Sequence, residues 1–319
     1  MVKQNVVLMG PFVGEFYWEA GRFAPMLPAM RAREFKNRDV KFIVFTRSER
    51  FDLYGKYADV LIPMKIENDY ITKMPECFRL IGFAKPKVEE LAAKFRNKYK
   101  NEKYNILRHI YPDVAKGRFV NKNQFPKNRM LYKFEPRDEN YTLVDHFLPK
   151  NGKQNVILAP RQRKGFKRNW SKWPEFYDLL SNDNNLKERF NFIICGKKGE
   201  YVPDNKNRFL DMTNIALSVN ASLVGLLLVI IDRSSLIFGS QSAIPNIGLL
   251  YGVEVLTFGC QKRLHTITYN IKKTPITFIE NKNYNIEPKV IFKKFKSILL
   301  KKIGEKHEKP MATTESKKD

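Results

Sequence analysis

Residues 237–259 read IFGSQSAIPNIGLLYGVEVLTFG. An apolar, β-branched run ends in Gly239, a polar bend follows at Ser240, Gln241 and Ser242, and a helix-like segment then leads to a second strand-like run, EVLTFG. Strand, turn, helix and strand in this order make one unit of a parallel sheet. The turn lies at the carboxyl end of its strand, where open parallel sheets hold their ligands. Free N–H groups and a partial positive charge at a helix start suit a phosphate, and two serine hydroxyls add donors. Serine is equally a favoured N-cap with or without a ligand. The stretch alone leaves both readings open.

Outward from it, the same alternation fills the second half. Strand-like runs lie at 155–160, 190–196, 234–240 and 254–259, with helix-like segments at 174–181, 222–232 and 244–252. The first half opens on a strand at 5–10, then a helix over 16–35 that Pro25 and Pro28 divide. Strands at 40–46 and 57–64 follow, then a helix at 85–101 with Val88, Leu91, Ala92 and Phe95 at helical spacing. Residues 101–150 are less regular, and the turn cluster LPKNGKQN at 148–155 marks a domain boundary. With 319 residues, 43% of them hydrophobic, the chain is long enough for two domains. The expected fold is α/β, with two doubly wound Rossmann-like domains facing across a cleft. Residues 1–150 and 151–303 form them, and 304–319 are a disordered tail. Before that tail, a basic amphipathic helix over 287–303 has Val290, Ile291, Phe295, Ile298 and Leu299 on its apolar side. It reads as a helix packed on the fold, or as a peripheral membrane contact.

Lys and Arg number 58 against 33 acidic residues, a net charge of +25. That excess favours anionic partners: nucleotides, nucleic acid or an anionic membrane surface. The three cysteines, Cys77, Cys195 and Cys260, are far apart and lack metal-ligand spacing, which fits a reduced, cytoplasmic protein. The N-terminus reads as strand and turn rather than a signal peptide, and the most apolar run, 221–231, is too short to cross a bilayer.

Two further constellations join the opening stretch. The loop after the 155–160 strand, PRQRKGFKRNWSKWPEF, carries Arg161, Arg163, Lys164, Lys167, Arg168 and Lys172 and no acid before Glu175. It lies at the same carboxyl edge as Ser240–Ser242, where cations neutralise a diphosphate leaving group; the bland reading is a solvated loop. In the first β-to-α loop, GPFVGEFYWE, Glu15 is placed to take a proton from a hydroxyl, with Glu19 one turn later in reserve. Acids complementing a helix N-terminus explain the pair equally well. There is no P-loop, no convincing D-x-D pair and no histidine cluster, so the chemistry is expected to be metal-free and to use no cofactor.

The second half resembles the nucleotide-sugar domain of GT-B glycosyltransferases, especially the heptosyltransferase-like glycosyltransferase family 9. The counterparts of the family's motifs are SKWPEF at 171–176, CGKKGE at 195–200 and GSQSAIPNIGLLYGVEVLTFG at 239–259. Gln241 stands for the family's acid, Ala243 for its glycine, Asn246 for its histidine and Ser171 for a lysine, while Gly14-Glu15 is similar to its Gly-Asp. The resemblance implies inverting transfer of a sugar from a nucleoside-diphosphate donor as co-substrate. Glu15 would be the base, Arg161, Arg163, Lys167, Ser240, Gln241 and Ser242 would hold the diphosphate, and Gly196 and Lys197 would contact the nucleotide. The charge points to an anionic acceptor. Modified DNA in the host cytoplasm of a virus is one option, since Lys103 to Lys133 interleaves cations with Tyr104, Tyr111, Phe119, Phe125 and Tyr132. A lipopolysaccharide-type glycan is the other, and a non-enzymatic nucleic-acid-binding protein on the same scaffold is a third reading.

Overall fold

The computed structural model describes residues 2–12, 19–64, 77–111, 135–161, 169–196, 201–203, 208–213, 223–263, 266–267, 270 and 272–307. Two parallel sheets organise them. The first takes β1 (Gln4–Met9), β2 (Lys41–Thr46), β3 (Val60–Pro63) and β4 (Tyr104–Ile110) in the order β3-β2-β1-β4. The second takes β5 (Gln154–Ala159), β6 (Phe190–Ile194), β7 (Leu210–Asp211), β8 (Ser234–Ser240), β9 (Glu254–Gly259) and β10 (Ile276–Glu280) in the order β10-β9-β8-β5-β6-β7. In each sheet the winding reverses beside its first strand, which is where a doubly wound sheet opens a crevice. Ala159 pairs with Gly239, and Ser240 with Phe258, so β5, β8 and β9 end together at one edge.

The helices are α1 (Met26–Ala32), α2 (Cys77–Tyr99), α3 (Asp138–Phe147), α4 (Trp173–Ser181), α5 (Asn184–Arg189), α6 (Leu223–Asp232), α7 (Ala243–Tyr251) and α8 (Pro288–His307). They cover sheets whose strands are near-continuous apolar runs, as burial on both faces requires. Alternation then sorts the side chains of the second sheet. Val156, Leu158, Ile194, Phe238, Leu256 and Phe258 pack with side chains of α4 and α8. Ile157, Ala159, Ile193, Ile237 and Val255 join a core that also contains Val7, Met9, Phe23 and Val44 of the first half.

Several sequence expectations need correction. The segment 101–150 contains β4 and α3. Strand β4 is an edge strand with half-exposed side chains, so its apolar pattern is weak. The 85–101 helix begins at Cys77, and β10 has no counterpart among the strands expected from the sequence. Helix α8 continues through His307 rather than stopping at 303, so the expected tail starts later; 308–319 lie outside the described residues. Ile291, Phe295 and Leu299 of α8 are fully buried on the sheet, which settles the packed-helix reading for that face. Val290 is 55% exposed and does not belong to it.

Helix α3 packs on α6 and ties the two halves together. Asp52, fully buried, accepts from Asn140 Nδ2 at 2.8 Å and from Arg137 Nε at 3.0 Å. A Cβ at Gly225 of α6 would lie 2.5 Å from Asp52 Oδ2 and 2.6 Å from Asn140 Nδ2, so only glycine lets α6 close on this pair. Further along, Tyr141 donates to Asp232 at 3.2 Å, and Arg233 pairs with Asp145 at 3.1 Å.

His109 of β4 fixes the loop after β1. Its Nε2 lies 2.8 Å from Gly10 O, so that nitrogen carries the proton and donates. Burial lowers the His109 pKa, partly opposed by this hydrogen bond. The unfolded chain therefore takes up the proton first on acidification, and stability present above the ordinary imidazole range is lost as pH falls through it. Denaturant unfolding between about pH 8 and pH 5 should show this decline, and His109→Gln should flatten it. An unchanged pH slope in that variant would assign the decline to other groups.

Candidate functional site

The carboxyl edge of the second sheet gathers buried polar atoms without partners. Ser240 ends β8 at 0% exposure, and its Oγ makes no hydrogen bond. Gln241 follows, buried, with Nε2 unpartnered. Thr257 Oγ1 on the neighbouring β9 is likewise buried and unpartnered. Each such group costs about 1–3 kcal/mol, so native proteins keep few. Ser240 and Gln241 adjoin at the end of β8, whereas Thr257, which pairs with Gly239, points to the opposite face of the sheet from Ser240. Ser242 is the N-cap of α7 in extended backbone, but its side chain makes no capping bond. The first N–H groups of α7 thus have no side-chain cap from Ser242.

Arg161, just past β5, donates from Nη1 to Gln241 O at 3.0 Å and so stands beside the turn. Gln241 Oε1 accepts from Tyr284 Oη. Gly196 is half-buried, two residues after the end of β6 at the same edge. Arg163, Lys167 and Lys197 lie outside the described residues, as does Glu15. Nothing local in the sequence marks Tyr284 or Thr257: Tyr284 sits in the loop after the edge strand β10, and Thr257 is an ordinary strand residue in its pattern.

Glu19 is described, and its position corrects the expectation of a reserve base. It opens a short π-helical turn, Glu19–Phe23, at 0% exposure. Its Oε1 accepts from Thr46 Oγ1 and Tyr54 Oη, both at 2.8 Å, and Oε2 lies 3.9 Å from Arg50 Nε. Burial pulls the Arg50 pKa down to about 10 against the opposing pull of Glu19, and burial with Glu19 pushes the Tyr54 hydroxyl well up. Glu19 is thus an internal counter-charge, closed off from any acceptor. The turn it opens packs against α7, which brings the first β-to-α connection of one half to the helix of the other.

The stretch read as suited to nucleic acid is only partly described. Tyr104 lies on β4, half-buried, its ring in edge contact with Tyr99 at a centroid distance of 5.2 Å. Residues 112–134 lie outside the described residues. Among the described residues, no group of three or more His, Cys, Asp or Glu is placed to hold a metal ion, and no helix is long and apolar enough to cross a membrane.

Two parallel-sheet α/β domains joined this way make the GT-B fold of glycosyltransferases. Among solved structures, the glycosyl transferase family 9 protein of Veillonella parvula matches with a TM-score of 0.54 at 12% identity, over 93% of this chain and 97% of its own. The ADP-heptose lipopolysaccharide heptosyltransferase II of Escherichia coli matches with a TM-score of 0.56 at 11% identity, over 94% and 99%. The glycotransferase of kitacinnamycin matches at 0.50 and 6% identity, over 92% and 89%. At these identities the likeness is one of fold. No family model and no curated protein matches the sequence.

Proposed function

We propose that the protein is a glycosyltransferase that moves a sugar from a nucleoside-diphosphate donor to a hydroxyl of an anionic acceptor. The observation that carries this reading is the cluster of unpartnered buried donors at Ser240 and Gln241, beside Arg161 and the N-terminus of α7. Every group there suits a diphosphate, and the GT-B fold provides the setting. Ser242 and Gly196 belong to the same edge; Arg163, Lys167 and Lys197 would add charge and nucleotide contacts. Glu15 would take the acceptor proton as the acceptor oxygen attacks the anomeric carbon. The bond from that carbon to the diphosphate breaks, and the nucleoside diphosphate leaves with the electron pair. Attack opposite the leaving group inverts the anomeric centre. Arg161 and the helix N-terminus stabilise the charge that develops on the leaving group, work that needs no metal.

Similarity to a lipopolysaccharide heptosyltransferase supports a glycan acceptor. The charge of +25 supports DNA, and also peripheral contact with an anionic membrane from the cytoplasmic side. A panel of nucleotide sugars, screened by thermal shift and by release of the nucleoside diphosphate, tests the reading. One donor should stabilise the protein and turn over. Glu15→Gln should then lower transfer about 10²–10⁴-fold while leaving donor affinity intact. No response to any nucleotide sugar, together with duplex-DNA binding that weakens steeply with salt, would support the non-enzymatic reading instead. With the donor known, transfer to hydroxymethylated DNA or to an anionic glycan decides the acceptor.

A further inference from the structure

We propose that Tyr284 is a positioning residue of the donor seat, one that turns the Gln241 amide so that its N–H₂ faces a donor phosphoryl oxygen. This rests on the reading of that edge as a diphosphate site. Two contacts fix the Gln241 side chain. Below it lies Gly259 at φ +151°, where a Cβ would come within 2.5 Å of Gln241 Cδ and Oε1. On its carbonyl side, Oε1 accepts from Tyr284 Oη. A primary amide has one acceptor oxygen and two N–H donors. With the oxygen engaged by a hydroxyl, the end left over is all donor, and it is buried without a partner. A side chain with three rotatable bonds is thereby held as a fixed donor before any ligand arrives, which is the arrangement that favours an anion.

Tyr284 is itself held with unusual firmness. Its φ of 53° is uncommon for any residue but glycine. The surrounding loop over-determines that conformation. Asn281 N donates to Gly259 O at 2.8 Å, and Asn281 Oδ1 accepts from the backbone N–H groups of Asn283 and Asn285, both at 3.1 Å. Two residues on from Tyr284, Ile286 O accepts from Trp170 Nε1 at 2.9 Å. The Tyr284 ring packs on Phe258, at a centroid distance of 6.3 Å. Backbone strain of this kind persists where the surroundings enforce it, and it gathers at ligand clamps. The Gln241 amide is left with a buried donor that no protein group takes.

The test is a double-mutant cycle on nucleoside-diphosphate affinity. Calorimetry of the full chain with UDP, ADP, GDP and CDP first finds which one binds. Tyr284→Phe keeps the ring and removes the hydroxyl; it should weaken that nucleoside diphosphate about tenfold and raise the donor KM with little change in kcat. Affinity for the matching nucleoside without phosphates should not move. Gln241→Ala should weaken the diphosphate at least as much, and Tyr284→Phe should then add nothing. Equal affinity in folded Tyr284→Phe, or additive effects of the two substitutions, overturns the positioning role while leaving the donor site standing. If the wild-type chain binds none of the four, the donor site falls and the positioning role with it. Should Tyr284→Phe fail to fold, Tyr284→Leu, which also lacks a donor, is read by the same criteria.

Discussion

Glu19→Ala is expected to lower the unfolding free energy by about 3–5 kcal/mol. The carboxylate is fully buried, and its loss strands three partners at once. Thr46 and Tyr54 lose the oxygen they donate to, and the buried guanidinium of Arg50 loses its facing charge. Arg50 already titrates lower than a free arginine, at about 10, because burial disfavours its charge and Glu19 only partly compensates. Removing Glu19 takes away the largest pull opposing that desolvation and leaves the smaller ones of Glu49 and Tyr54. Glu19→Gln keeps a hydrogen-bond acceptor but no charge and should fall between wild type and alanine. Denaturant unfolding of the three proteins measures this; a loss under about 1 kcal/mol for alanine would show that the cluster is solvated and that Glu19 is not its keystone. The same experiment bears on function, since a residue with this role should alter stability before it alters chemistry.

The other large effect lies in the second half. Trp170→Ala should cost about 3–5 kcal/mol, the range for emptying a large aromatic site in a packed core. The indole is 0% exposed, with ring centroids 5.3 Å from Trp173, 5.4 Å from Phe258 and 6.0 Å from Phe238. It anchors the end of the basic loop to the sheet. Its Nε1–H also holds Ile286 O, so the loop after β10 loosens with it. Trp170→Phe retains most of the packing and loses only the hydrogen bond, and should cost clearly less. If phenylalanine and alanine destabilise equally, the hydrogen bond rather than the packing dominates.

What could be read from the chain, and what could not, follows from burial. The strands β1, β2, β5, β8 and β9 are buried on both faces and spell themselves as apolar runs, so the parallel alternation was visible at once. Strands β4 and β10 lie at sheet edges with half-exposed side chains, and such a strand has no sharp period. Residues 240–242 were legible as a strand-to-helix turn, because that geometry needs a polar bend between two apolar elements. Their partners were not. Tyr284 meets Gln241 across 43 residues, and nothing local in NKNYN announces it. Glu15 and Glu19, alike on paper, differ by one turn of chain, and only the fold shows that Glu19 turns inward to Thr46 and Tyr54. Charge and composition named a sign of partner and no more.

The core that runs unbroken from Val7 and Phe23 through Ile157, Val229 and Ile247 has a bearing on how the chain behaves as a whole. Side chains from both sheets share one apolar interior, and α6 is seated on the first half through Gly225. The halves are therefore not interchangeable modules. Cut apart, each would present a wet apolar face and the first would expose the Asp52 carboxylate without its lid. Melting should be one cooperative event rather than two. The proposed sugar transfer would then proceed by small adjustments within a single folding unit, and its two sheets would have to change together over evolutionary time.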